Sequence, residues 1–176
     1  MDIIGYTRYF LCISIHLILN IYNVQIHQNY LYLQNAPRRM VLVCHYDSKI
    51  SPQGFLGATD SAVPCAQMIN LAHTMKMDLD DHNRNSNSEL TLQLLFLDGE
   101  EAFVQWTSTD SIYGARHLAS KLETTNYQYN RVQGSELDRM DIFVLLDLLG
   151  AKDPNIISSQ ENTDVSCQFK DTGMLG

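Results

Sequence analysis

Six side chains in this sequence could do chemistry together: His45, Asp47, Asp60, Glu100, Glu101 and Asp147. Five of them follow runs of apolar residues. Residues 40–44 lead into His45-Tyr46-Asp47, residues 92–97 into Asp98-Gly99-Glu100-Glu101, and residues 142–146 into Asp147. Short apolar runs that stop this abruptly read as buried strands. Asp60 instead follows Gly57 at the approach to a helix. Adjacent carboxylates without a partner cost on the order of several kcal/mol to bury, so such a set calls for a cation or a shared proton. An imidazole with carboxylates is a donor set for zinc, and a carboxylate beside a ligating one can serve as general base and acid. Each residue also has an ordinary role: His45 as a hydrogen-bonded core histidine, Asp60 as a helix cap, Asp147 as an acceptor for loop amides. Glu100 and Glu101 could equally open a solvated helix, where acids suit the positive end of the helix dipole. Convergence favours the chemical reading, because parallel strands bring their C-terminal ends to one edge.

The elements that must position these groups alternate strand, helix, strand, helix, strand. That order predicts an α/β fold in three layers, a mixed and mostly parallel sheet flanked by helices. The first helix follows GATDS, with Ala62, Ala66, Ile69 and Ala72 at helical spacing and Pro64 in its first turn. Residues 78–89 are almost wholly polar and read as a loop. The second helix is capped by Asp110-Ser111 and carries Ile112, Ala115, Leu118, Ala119 and Leu122 on one face. Residues 124–140 read as another loop, and residues 158–176 as a polar tail without periodicity.

Composition narrows the function. Hydrophobic residues make up 45% of the 176 and charged residues 18%, enough for a domain with a real core. A net charge of −8 argues against nucleic acid as a partner and permits a neutral or cationic peptide. Residues 1–27 hold a short apolar stretch at 10–19, preceded by Arg8. It fits a signal-peptide core better than a membrane span, with a buried amphipathic segment or an unrelated extension as alternatives. Cys12 and Cys167 lie towards the ends. Cys44 and Cys65 sit in the best-patterned region, either paired or as reduced core residues.

Four stretches, LVCHYDSK, GFLGATDSAVPCAQM, LQLLFLDGEEAFVQWTSTDSIYGARHLA and MDIFVLLDLLGAKDPN, closely resemble the animal glutaminyl-peptide cyclotransferases (glutaminyl cyclases). That family shares the fold of the zinc-dependent aminopeptidases, and the resemblance covers residues 28–157 as a partial catalytic domain. It implies that Asp60 and Glu101 ligate one Zn2+, that Glu100 is the catalytic acid and base, and that Asp147 is a catalytic carboxylate near the reacting centre. It implies that Trp106 lines the substrate pocket and that Cys44 and Cys65 form a disulfide. It also implies a cis-like peptide at Asp60–Ser61. The reaction implied is cyclisation of an N-terminal glutamine to pyroglutamate with release of ammonia, on peptides or proteins in the secretory pathway. A membrane would be involved only through residues 1–27 acting as an anchor.

The sequence also departs from that pattern. The family takes a third zinc ligand, a histidine, from its C-terminal half. The six histidines here, at 16, 27, 45, 73, 82 and 117, all precede Asp147. The chain therefore reads as a catalytic domain incomplete in its C-terminal half. His45 is a candidate substitute, since the matching histidine of the aminopeptidases binds a second metal. Two other functions stay open: a zinc aminopeptidase of the same fold, and a non-catalytic fragment. The DSAVPC context, with Cys65, is similar to the cyclases rather than the aminopeptidases.

Overall fold

The structure, a computed structural model, describes residues 25–27, 30–32, 36–84, 88–129 and 132–152. The strands are β1 (Gln25–His27), β2 (Tyr30–Tyr32), β3 (Arg38–His45), β4 (Leu90–Leu97), β5 (Asn126–Tyr129), β6 (Val132–Ser135) and β7 (Met140–Leu145). The helices are α1 (Val63–Thr74), α2 (Lys76–Arg84) and α3 (Tyr113–Thr124). Five strands form one mixed sheet in the order β1-β2-β4-β3-β7. Strands β4, β3 and β7 run parallel, whereas β2 meets β4, and β1 meets β2, antiparallel.

Strand β3 lies between β4 and β7, and both of its faces are apolar. Leu42 and Cys44 pack with Leu94, Phe96 and the α1 residues Cys65 and Met68. Val41 and Val43 pack with Leu95 and Leu97 under Ala115 and Leu118 of α3. One helix thus covers each face, which gives the three layers expected. Each large side chain removed from water here contributes about 1.5–3 kcal/mol. A disulfide joins Cys44 to Cys65 across a separation of 21 residues, linking β3 to α1. Closing a loop of that length stabilises the fold by about 3 kcal/mol through the unfolded chain's lost entropy.

Several expectations from the sequence need correction. Residues 76–84, expected largely as loop, form α2, an exposed helix with no buried residue and a Lys76–Asp80 ion pair at 2.6 Å. Such a helix has no apolar stripe to betray it. Residues 126–129 and 132–135, also expected as loop, pair as the antiparallel strands β5 and β6, and the Arg139 guanidinium lies 3.9 Å over the Tyr127 ring to hold them. Ala66 and Ala119, placed on the inner helix faces, are exposed; Pro64, Cys65 and Met68 are the buried residues of α1. Strand β7 exists but is not buried: Ile142 is 48% exposed, Phe143 57% and Leu145 56%. It occupies a sheet edge and pairs with β3 alone among the described residues. Burial of a strand depends on its neighbours, which its own sequence does not encode. Residues 1–24 and 153–176, including the apolar stretch and the polar tail, lie outside the described residues.

Candidate active site

The register of the parallel strands builds the site. His45 pairs with Leu97, and Val43 with Leu145, so β3, β4 and β7 end side by side. The backbone continues the ladder one step beyond each end, with Tyr46 N–H donating to Leu97 O at 2.9 Å and Leu146 N–H to Val43 O at 2.8 Å. The residues that follow are His45–Asp47, Asp98–Glu101 and Asp147.

Asp60 arrives from a different element. Gly57 is left-handed at φ 61°, and a Cβ there would meet Asp60 O at 2.7 Å and Ser48 Cβ at 2.8 Å. Only glycine fits that turn. Asp60 and Ser61 then leave helical geometry and are joined by a cis peptide, as expected. Gly150, after β7, lets the chain pass so close that a Cβ would lie 2.5 Å from Thr59 Cα. That approach seats the loop carrying Asp147 against the Asp60 turn, and Ser61 Oγ–H donates to Asp147 Oδ1.

His45 is the centre of the cluster. Its buried Nε2 lies 3.0 Å from Asp60 Oδ1, 3.4 Å from Asp147 Oδ1 and 4.0 Å from Glu100 Oε2. On the other side, Nδ1 lies 3.5 Å from Asp47 Oδ1. Burial opposes a charge on His45, but the Asp47 interaction and the charges of Glu100, Asp47 and Asp147 outweigh it and raise its pKa to about 9. Glu100 is raised to about 7, first by burial and then by Glu101 and Asp147, with His45 opposing. Glu101 is raised by burial and by Asp60. Asp47, buried between them, is lowered: burial opposes its charge but is outweighed by His45 and by the backbone N–H groups of Glu101 and Glu100.

Of the residues singled out from sequence, the structure brings Asp60, Glu100, Glu101, Asp147 and His45 to one sheet edge. Glu100 and Glu101 do not open a helix; they lie in the irregular segment before α3. Trp106 is not in the cluster but stands half-exposed on the loop after it. Asp60 caps no helix, since α1 begins after Ala62 without a side-chain cap. Asp110-Ser111 does not cap α3 either; the residue before that helix is Ile112, left-handed at φ 43°.

Two contributors were not foreseen. Lys49 places Nζ 3.8 Å from Asp60 Oδ2 and 4.0 Å from Glu101 Oε1, and Ser61 holds Asp147. Both sit within motifs already noted, HYDSK and GATDSA, but their contacts depend on how the loops fold.

The donor set fits a divalent cation. His45, Glu100 and Asp147 offer atoms that all lie within 4.8 Å of one another, a set that does not include Asp60 or Glu101, the carboxylates the resemblance assigns to zinc. Glu101 Oε1 is buried without a hydrogen-bond partner. Between Asp60 and Glu101 the Lys49 ammonium already supplies a positive charge. A buried carboxylate oxygen that accepts no hydrogen bond and meets an ammonium only at 4.0 Å is suited to a metal.

A three-layer α/β sandwich with carboxylates and an imidazole at the C-terminal ends of its parallel strands defines a class. The chain belongs to peptidase family M28, whose family model matches residues 30–172. Within that family it is similar to proteins named glutaminyl-peptide cyclotransferases. It is 53% identical over 131 residues to that of Drosophila melanogaster, covering 74% of this chain and 34% of the relative. It is 48% identical over 134 residues to that of Bos taurus, covering 73% and 37%. Among solved structures it is similar to Macrostomum lignano glutaminyl cyclase, with a TM-score of 0.64 and 37% identity, over 82% of this chain and 46% of that one. The chain therefore spans about a third of the length of the curated relatives it matches.

Proposed function

We propose that this chain carries the catalytic edge of a glutaminyl-peptide cyclotransferase, closing an N-terminal glutamine to pyroglutamate. The observation behind this reading is the convergence of three strand ends on His45, with Asp60, Asp147 and Glu100 all within 4.0 Å of its Nε2. The names of the relatives support it.

Asp60 and Glu101 are the carboxylates assigned to zinc, with His45 the imidazole of the cluster. Bound there, zinc would supply a Lewis acid for the γ-carboxamide carbonyl. The rest belongs to the chain. Glu100, with a pKa raised to about 7, takes a proton from the substrate α-amine as that nitrogen bonds to the carbonyl carbon of the side-chain carboxamide (Cδ), closing the five-membered ring. The same carboxyl returns the proton to the departing nitrogen, which leaves as ammonia. Asp147, held by Ser61, orients the leaving group. Asp47 fixes the backbone beneath Glu100 and Glu101. Phe103 and Trp106, on the loop that follows Glu101, and Leu56, just before Gly57, are exposed apolar side chains of the kind that suits a peptide.

The disulfide supports a secretory compartment. Among the described residues no helix is long and apolar enough to cross a membrane.

One observation favours a second reading, a zinc aminopeptidase of the same fold: His45 Nε2 faces the same carboxylates and could ligate a second metal. Zinc stoichiometry separates the two. The full chain should bind one zinc, and Asp60→Asn combined with Glu101→Gln should weaken binding at least about 100-fold, measured by competition with a chromogenic chelator. Two zincs would favour the hydrolase. Unchanged affinity in the double variant would remove these residues from the metal site.

A further inference from the structure

Between Glu101 and α3 the chain makes a closed excursion. Its base is fastened by Ile112 N–H donating to Glu100 O at 2.8 Å and Tyr113 N–H to Gly99 O at 2.7 Å. Its tip presents Phe103, Val104 and Trp106 to solvent, 62%, 93% and 54% exposed. Phe103 meets the Tyr113 ring with centroids 5.4 Å apart, but Val104 and Trp106, this exposed, do not hold the loop in shape by packing.

Asp110 does so instead. Its Oδ1 accepts from Phe103 N–H at 2.8 Å and from Tyr113 Oη–H at 2.7 Å. Its Oδ2 accepts from both Val104 N–H and Gln105 N–H at 2.9 Å. Both oxygens are fully used, and the donors are the three consecutive amides that lead into Trp106. These bonds to the ionised form also pull the carboxyl well below the usual carboxylate range. From the helix side, Arg116 donates to the carbonyls of Ser108, Thr109 and Ser111 at 2.9, 3.3 and 2.7 Å. The opposite flank of the loop is thereby tied to α3.

We propose that Asp110 is a positioning residue that sets substrate affinity by holding the Phe103–Trp106 segment in the shape that meets the peptide. This rests on the reading of Trp106 as part of the substrate pocket. Nothing in the site chemistry requires Asp110, which does not join the cluster around His45.

The test exploits the single tryptophan of the chain: its emission reports on this loop alone. In the full-length chain, Asp110→Asn turns one acceptor into an N–H group facing N–H or O–H donors. The expected result is an acrylamide quenching constant for Trp106 raised about two-fold, with far-UV circular dichroism unchanged. KM for a Gln-initiated peptide should rise about tenfold while kcat stays within about two-fold, the pattern of lost binding rather than lost chemistry. Arg116→Gln is the second variant. It frees the carbonyl side of the loop without touching the inner face of α3, and should move both quantities in the same direction by less.

A kcat loss at unchanged KM would overturn the proposal. So would parent-like quenching in whichever variants fold. The quenching measurement needs no turnover, so it decides whether Asp110 holds the loop even if the chain shows no cyclase activity. Absence of activity in the parent would count against the proposed function alone.

Discussion

Glu100→Gln is expected to lower kcat for a Gln-initiated peptide by about 10³-fold while leaving the fold intact, the scale of a lost general acid and base. Glutamine matches the size of the side chain but can neither accept nor return the proton. The parent should gain activity as pH rises through about 7, because Glu100 must be ionised to begin the cycle and burial, Glu101 and Asp147 hold its pKa there. The stability effect has the opposite sign. In the folded chain this carboxyl keeps its proton up to about 7, against 4.5 as its ordinary value. Its contribution to stability is fully present below 4.5 and is lost as pH rises through about 7. The amide of the variant, neutral at every pH, avoids that loss. The variant should therefore melt higher than the parent above pH 7 while being almost inactive, which calorimetry and an ammonia-release assay on the same samples can check. Loss of activity together with lowered stability at that pH would mean that Glu100 is structural.

Asp47→Ala should have the largest effect on the architecture of the site. Asp47 is 2% exposed and accepts from Glu100 N–H at 3.1 Å and Glu101 N–H at 3.0 Å. Alanine leaves the buried Glu101 amide without an acceptor, at about 1–3 kcal/mol, and the part-buried Glu100 amide as well, at less. It also frees the two glutamates from β3, and a displacement of about 1 Å at a reacting group costs on the order of 10²-fold in rate. His45 loses its partner at Nδ1 as well, so its pKa should fall from about 9 towards 6.5. Denaturant unfolding measures the first effect, kcat/KM the second, and imidazole NMR shifts against pH the third. A variant with parent stability and an unmoved His45 titration would show that Asp47 does not organise this edge.

How much of this was legible in the sequence follows from what each signal depends on. Strands β3, β4 and β7 announce themselves by apolar runs, and their shared direction follows from the helices between them. That places His45, Glu100, Glu101 and Asp147 together from the sequence alone. Helix α2 could not be read, because its only apolar residues, Met77 and Leu79, make no stripe and its support is a local ion pair. The paired strands β5 and β6 are held by a guanidinium from Arg139, reached only after the chain turns back. Asp110 looked like a cap because an Asp-Ser pair precedes a helical pattern. Its carboxylate turns instead towards the amides of residues 103–105, a choice set by the path of the loop. The exposure of β7 reflects which strands lie beside it, and its own sequence reads like that of any central strand.

The most direct measurement of the central claim is mass spectrometry of a Gln-initiated peptide incubated with the zinc-loaded full chain. The expected product is the intact peptide less one ammonia, with no free amino acid. Release of the N-terminal residue would make the site a hydrolase, and an unchanged peptide in the presence of bound zinc would contradict cyclase chemistry at this edge.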